Sequence, residues 1–197
     1  PVSTLLTRVL VDSNDPAYQQ PSQFIGPVYQ PSQQQELEHK YGWNMKLDGS
    51  YLRRVVPSPE PKKIIDIEAI NLLMSKNHIV ICNGGGGVPM VAEGDSLVGS
   101  EAEIDKDLAS ALLAEALDAD HLVILTDADA VYEHWGTPKQ RAIRSATTGE
   151  RAPLAINDGA MGPKIMAVSR FVQRSGKVAH IGALKDIDAV LAGTAGT

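Results

Sequence analysis

The chain is 197 residues long, 43% apolar and 21% charged, with a formal net charge of -6 at pH 7, which is enough to bury one sizeable core in an ordinary globular domain. The acidic balance argues against broad non-specific attraction to nucleic acid. The single cysteine, Cys82, excludes an internal disulfide, and no apolar run reaches the roughly 18 residues that a membrane span requires.

A cytosolic protein with neither nucleic acid nor membrane as partner is therefore expected. The sequence opens on Pro1 without an initiator Met or a leader-like segment and reads as a piece whose start lies elsewhere. Residues 1–11 read as a short connection. Residues 12–61 differ in composition from the rest: rich in Gln and Pro, with Tyr18, Phe24, Tyr29, Tyr41, Trp43 and Tyr51 interleaved. Turn signals stand at Asn14-Asp15-Pro16 and Asp48-Gly49, a short helix candidate follows Ser32, and Tyr51 to Val56 reads as a strand closed by Pro57-Ser58-Pro59. We read this stretch as a small protruding subdomain rather than a disordered linker, because its aromatics and Leu52-Arg53-Arg54-Val55-Val56 can build a core.

Residues 62–197 alternate helices with short apolar strands. A helix is expected over Ile67 to Lys76, then a strand Ile79 to Cys82, then the run Gly84 to Gly87. Leu108, Leu112 and Ala116, with Ala111 on the same face, predict a helix over Lys106 to Leu117. The strand Leu122 to Leu125 follows. A third helix starts at Pro163 and stops before Gly176, the usual placement of both residues, and leads into the strand Val178 to Ile181; a last short helix ends at Gly193. Apolar strands alternating with helices imply a parallel sheet covered on both faces.

In such a sheet ligands bind beyond the carboxyl ends of the strands. Four consecutive glycines, Gly84, Gly85, Gly86 and Gly87, follow the first core strand and let backbone N–H groups approach an anion with no side chain in the way. No Gly-Lys-Ser/Thr follows, and Pro89 stands where the dinucleotide fingerprint needs glycine, so neither phosphate motif applies. Lys106 and Lys164 each sit in the first turn of a helix, where the dipole disfavours a cation by about 0.3–1 kcal/mol. That conflict is understandable if two lysines at two helix starts receive the β- and γ-phosphates of a nucleotide, with an aspartate setting the lysine position. At the third strand end, Thr126-Asp127-Ala128-Asp129, the aspartates can bind a metal, act in acid/base chemistry or shape a turn. The histidines show no ligand spacing, and Cys82 reads as a buried inert thiol.

Taken together, Phe24-Ile25-Gly26-Pro27-Val28-Tyr29, Arg53 to Pro59, Gly84 to Pro89, Ile104-Asp105-Lys106-Asp107-Leu108-Ala109, Leu125 to Asp129 and Gly162-Pro163-Lys164 resemble the carbamate kinases, members of the amino-acid kinase superfamily, in order and spacing. The resemblance implies a three-layer α/β/α fold, a homodimer, and magnesium-dependent reversible transfer of phosphate between carbamoyl phosphate and ADP, giving ATP and carbamate. By the same resemblance Lys106 and Lys164 match charge-neutralising lysines and Asp107 the carboxylate that organises them. Thr126, Asp127, Asp129, Tyr132, Met161 and Gly162 border the ATP or ADP, and Gly84 to Gly87 lie near the transferred group. Two departures stand out. The family's N-terminal Gly-Gly-Asn loop and His-Gly-Asn-Gly-Pro segment are not in this sequence, and Gln23 occupies the place of a lysine that the protruding subdomain usually presents. A catalytically impaired nucleotide-binding module and a kinase of a related small acid are the alternative expectations.

Overall fold

The computed structural model describes residues 1–147 and 161–197. Thirteen strands and five α-helices are described there. In chain order they are β1 (Val2–Thr4), β2 (Arg8–Leu10), β3 (Gln23–Tyr29), α1 (Gln34–Tyr41), β4 (Asn44–Asp48), β5 (Tyr51–Val56), β6 (Lys63–Ile64) and α2 (Ile67–Ser75), followed by β7 (Ile79–Ile81), β8 (Val88–Glu93), β9 (Ser96–Gly99), α3 (Lys106–Ala116), β10 (His121–Thr126), β11 (Val131–Glu133), β12 (Arg141–Ile143), α4 (Gly162–Ser175), β13 (Val178–Ala183) and α5 (Ile187–Leu191).

The α/β class is as expected, and the strand pairing adds detail that periodicity alone did not reveal. Three parallel pairs carry the core: β1 with β7, β2 with β8, and β10 with β13. Around β2 and β8 the sheet is mixed, in the order β6-β2-β8-β9, with both outer strands antiparallel. Strands β8 and β9 and the hairpin of β11 and β12 lie where the sequence reading placed no strand. Strands β9, β11 and β12 are short and mixed in polarity, so they lack the continuous apolar runs of buried parallel strands, and the apolar run of β8, Val88 to Ala92, is interrupted by Pro89.

The β10 and β13 pair shows how the layers form. Side chains alternate across a strand, so Leu122, Ile124, Ala179 and Ile181 point to one face, where they join Ala111 and Ala114 of α3 and Ile165, Val168 and Phe171 of α4 in a buried cluster. On the other face Gly182 meets α5: a Cβ there would lie 2.5 Å from Val190, which is fully buried. The buried stripe of α3 also differs from the one the leucines predicted. It consists of Asp107, Ala109, Ala111 and Ala114, while Leu108 and Leu112 are only partly buried, because the small residues let α3 lie close to α4. Helix α4 ends where expected, with Gly176 left-handed at φ 69° and its N–H bonded to Val172 O at 2.9 Å.

Residues 23–56 form a three-stranded antiparallel sheet, β3-β5-β4. Leu37, Met45 and Leu52 are buried in a core of its own, with Tyr29 and Trp43 packed against it. Tyr51 to Val56 is the strand expected there.

The pair β1 and β7 is covered on one side only. Val80 packs into the cluster around Val9, Ile64 and Ile70, but Val2, Ile79 and Ile81, which share the opposite face, are 62%, 68% and 54% exposed. Both-face coverage, as the apolar strand implies, is thus not reached among the described residues. A bare apolar sheet face promotes association. The isolated 197-residue chain is expected to self-associate in light scattering, and Ile79→Thr with Ile81→Thr to reduce that association while leaving the melting temperature within a few degrees.

Candidate active site

Helix α3 begins with a strong cap. The Asp105 carboxylate accepts from the backbone N–H of Asp107 and of Leu108, both at 2.9 Å, satisfying two of the helix's free donors. The cap and the acidic Asp107 in the first turn offset the unfavourable placement of Lys106. Lys106 projects outward, its side chain 68% exposed, while the Asp107 side chain is 9% exposed.

Lys164 comes from the first turn of α4, where Gly162 and Pro163 precede it. Its Nζ donates to Asp107 Oδ2 at 2.8 Å, across 57 residues of sequence, and Lys106 Nζ lies 4.0 Å from the same oxygen. One carboxylate therefore serves two ammonium groups, leaving the trio one positive charge in excess. Helix α4 has no side-chain cap and no acidic residue in its first turn, so among the described residues no capping side chain serves its N-terminal amides. Two helix N-termini and two lysines converge, an arrangement suited to a polyanion.

The glycine run adjoins this trio. Gly84–Gly86 form a 3-10 turn, and the four glycines serve different needs. A Cβ on Gly86 would fall 2.1 Å from Ile104 O, and one on Gly87 would fall 2.5 Å from a Val9 methyl. Gly86 thus permits backbone packing against the residue that precedes the α3 cap, and Gly87 permits packing against β2. Gly84 and Gly85 are exposed, with open space around their Cα atoms, which leaves their backbone accessible.

The remaining candidates fall into two places. Thr126 ends β10 and donates through Oγ1 to Asp127 Oδ1 at 3.0 Å. The Tyr132 hydroxyl donates to Asp129 at 2.7 Å, which holds the Asp129 carboxyl below its ordinary value and pushes the Tyr132 phenol above its own. Met161 precedes α4 and packs against the core cluster, and Gly162 is buried. Gln23 is half-buried at the start of β3, its Nε2 donating to Glu103 Oε1 at 3.4 Å. Gln23 is thus tied to the segment leading into α3.

Sequence reasoning did not anticipate that segment. Tyr18 OH and Ser100 Oγ lie 2.6 Å apart, Arg54 pairs with Glu101, and the Glu103 N–H donates to Pro57 O at 3.0 Å. The protruding unit is thereby fastened to residues 100–103, immediately ahead of Asp105. Each partner is a common surface residue type, and no local pattern announces such pairs. The cleft beside β11 and β12, about 440 Å³ and lined by Glu133, Arg141 and Arg144 among others, includes none of the sequence candidates.

The Asp107 and Lys164 side chains are nearly buried, and breaking a buried pair is costly chiefly through the charge left behind. Lys164→Met leaves Asp107 with Lys106 and the α3 N-terminus and is expected to cost under about 2 kcal/mol. Asp107→Asn strands Lys164 without its counter-charge and is expected to cost more, about 3–5 kcal/mol. Urea denaturation of the two variants checks the order.

The profile described as the Amino acid kinase family matches residues 5–183. The carbamate kinase of Escherichia coli (strain K12) is 64% identical over 197 residues, and that of Rhizobium meliloti (strain 1021) is 46% identical over 200 residues. Each match covers the whole of this chain, which spans 65% of the first relative's length and 62% of the second's. Among solved structures, one from Aeropyrum pernix K1 superposes with a TM-score of 0.93 at 42% identity, covering 100% of this chain and 65% of that one. Giardia lamblia carbamate kinase bound to AMP-PNP superposes at 0.89 with 34% identity, over 98% of this chain and 63% of that one.

Proposed function

This chain belongs to the amino acid kinase family, and we propose that it forms most of an ATP:carbamate phosphotransferase, which moves a phosphoryl group reversibly between carbamoyl phosphate and ADP. The observation that carries the reading is the shared Asp107 carboxylate, which holds Lys164 at 2.8 Å and Lys106 at 4.0 Å where two helix N-termini meet beside the glycine turn. Kinship with carbamate kinases at 64% identity supports it, as does the Giardia lamblia relative with AMP-PNP bound.

In the ATP-forming direction a β-phosphate oxygen of ADP forms the new P–O bond while the bond from phosphorus to the carbamate oxygen breaks. The leaving carbamate carries its electron pair away as an anion, so no proton need move. Nor does the reverse reaction require a general base, because the carbamate oxygen is already anionic. Catalysis then reduces to positioning and charge neutralisation. In this reading Lys106 and Lys164 meet the charge on the equatorial phosphoryl oxygens, Asp107 fixes both lysines, and Gly84 and Gly85 offer N–H groups to the transferred group, the Gly86 and Gly87 N–H groups being bonded within the turn. Thr126, Asp127, Asp129, Tyr132, Met161 and Gly162 border the nucleotide.

Among the described residues no three acidic, histidine or cysteine side chains gather where they could hold a metal. Magnesium would accordingly enter on the nucleotide phosphates, with Asp127 or Asp129 as the available carboxylates. When bound, the ion would neutralise charge on the nucleotide phosphates. A homodimer in the cytoplasm completes the reading, and residues 12–61 act in it as a lid over the site.

The test is a coupled ATP-forming assay with carbamoyl phosphate and ADP on the protein at its relatives' full length. Turnover is expected there and not from the 197-residue chain alone. Lys106→Ala and Lys164→Ala are each expected to raise the barrier by about 2–4 kcal/mol. Wild-type turnover in either variant removes that lysine from the mechanism.

One observation favours a second reading, a nucleotide-binding module with impaired catalysis: Gln23 is neutral and engaged with Glu103. Gln23→Lys with Glu103→Gln supplies an uncommitted cation and is expected to raise kcat about tenfold, equivalent to roughly 1.4 kcal/mol, with little change in KM for ADP. An unchanged kcat in steady-state kinetics denies Gln23 any part in limiting the rate.

A further inference from the structure

Asn83 lies between β7 and the glycine turn and carries two local costs. Its backbone is left-handed, at φ 54°, a conformation that asparagine tolerates better than most residues but that is still unfavourable. Its side-chain Oδ1 is buried without a hydrogen-bond partner among the described residues, although the residue is only 7% exposed. A group held in this way is over-determined by its surroundings, which is more common at working sites than in ordinary cores.

Those surroundings are specific. The Asn83 N–H donates to Thr7 Oγ1 at 2.9 Å, and its Nδ2 donates to Ala109 O in α3 at 3.2 Å. Thr7 is 2% exposed, and its hydroxyl donates in turn to Leu5 O at 3.1 Å. Asn83 is thus the one described side chain of the turn that bonds to α3, the helix bearing Lys106 and Asp107. Gly86 contributes the other contact, its missing side chain leaving room for Ile104 O.

We propose that Asn83 is a positioning residue: through Thr7 on one side and Ala109 on the other, it sets the glycine turn at a fixed distance from the Lys106, Asp107 and Lys164 trio. The inference rests on the phosphotransfer reading, in which the turn and the trio hold opposite parts of one phosphoryl group. Asn83 touches no reacting atom and acts through the backbone it anchors. A displacement of about 1 Å at such a site is enough to lower turnover on the order of 100-fold.

The test uses the protein at its relatives' full length. Asn83→Gly accepts the left-handed backbone and removes only the bond to Ala109. Thr7→Val keeps the volume and removes the acceptor for the Asn83 N–H, whereas Thr7→Ser keeps that acceptor. Asn83→Gly and Thr7→Val are expected to lower kcat for ATP formation by about 10- to 100-fold with KM for ADP within about threefold, and Thr7→Ser to retain wild-type kcat. Asn83→Gly folded by circular dichroism with kcat within twofold of wild type overturns the inference, and so does a loss in Thr7→Ser equal to that in Thr7→Val.

A wild type that makes no ATP defeats the phosphotransfer reading instead. Positioning is then read from hydrogen exchange of the Gly84 and Gly85 amides with inorganic phosphate. Protection by phosphate in the wild type that is lost in Asn83→Gly supports the anchor. Equal protection in both, or none in either, overturns it.

Discussion

The ion pair between Lys164 and Asp107, 2.8 Å long and nearly buried, is the interaction on which the arrangement of this protein depends. It joins the first turns of α3 and α4, the two helices that cover one face of the β10 and β13 pair. A buried ion pair contributes little net stability compared with apolar packing, because desolvation offsets the attraction. Its value here is positional. It forces two helix N-termini, each with a partial positive charge, to stand side by side, and it leaves Lys106 exposed next to them. Electrostatic repulsion between two such ends is tolerable only with a carboxylate between them or an anion in front of them.

The surrounding structure converges on the same place. The glycine turn meets α3 at Ile104, one residue ahead of the Asp105 cap. The protruding unit is fastened to residues 100–103 through Tyr18, Arg54, Gln23 and Pro57. Where its chain leaves for the core, Glu60 accepts from Arg170 of α4 at 2.6 Å, and the paired Arg170 and Lys62 hold its carboxyl below the ordinary range. That unit is therefore tied to the segment entering α3 and to the middle of α4.

The uneven coverage of the sheet fits the length comparison. The chain spans 65% of the E. coli relative, and the face formed by Val2, Ile79 and Ile81 is open although these residues are as apolar as any in the core. Parallel strands are stable when both faces are covered. The two parallel pairs β1/β7 and β10/β13 belong to separate sheets, each with its own buried cluster.

What the sequence by itself determined was local. Tyr51–Val56, α2, α3, α4 and β13 begin and end within a residue or two of the positions that periodicity, Pro163 and Gly176 indicated, because those signals act within one turn or one strand. The family, too, was legible in six short motifs, and the two lysines were conspicuous because each opposed its own helix dipole. The tertiary structure alone decided what those motifs do to one another. That Asp107 bridges both lysines, that Gln23 is bonded to Glu103 and Asn83 to Ala109, and that within the four-glycine run Gly86 and Gly87 alone have no room for a side chain all depend on contacts between residues far apart in the chain. The same holds for β9, β11 and β12, whose short mixed sequences give no periodic signal, and for β8, where Pro89 interrupts the apolar run. Pairing of this kind reflects shape and distance in three dimensions, and the chemistry of a single residue type carries no record of which partner the fold will bring to it.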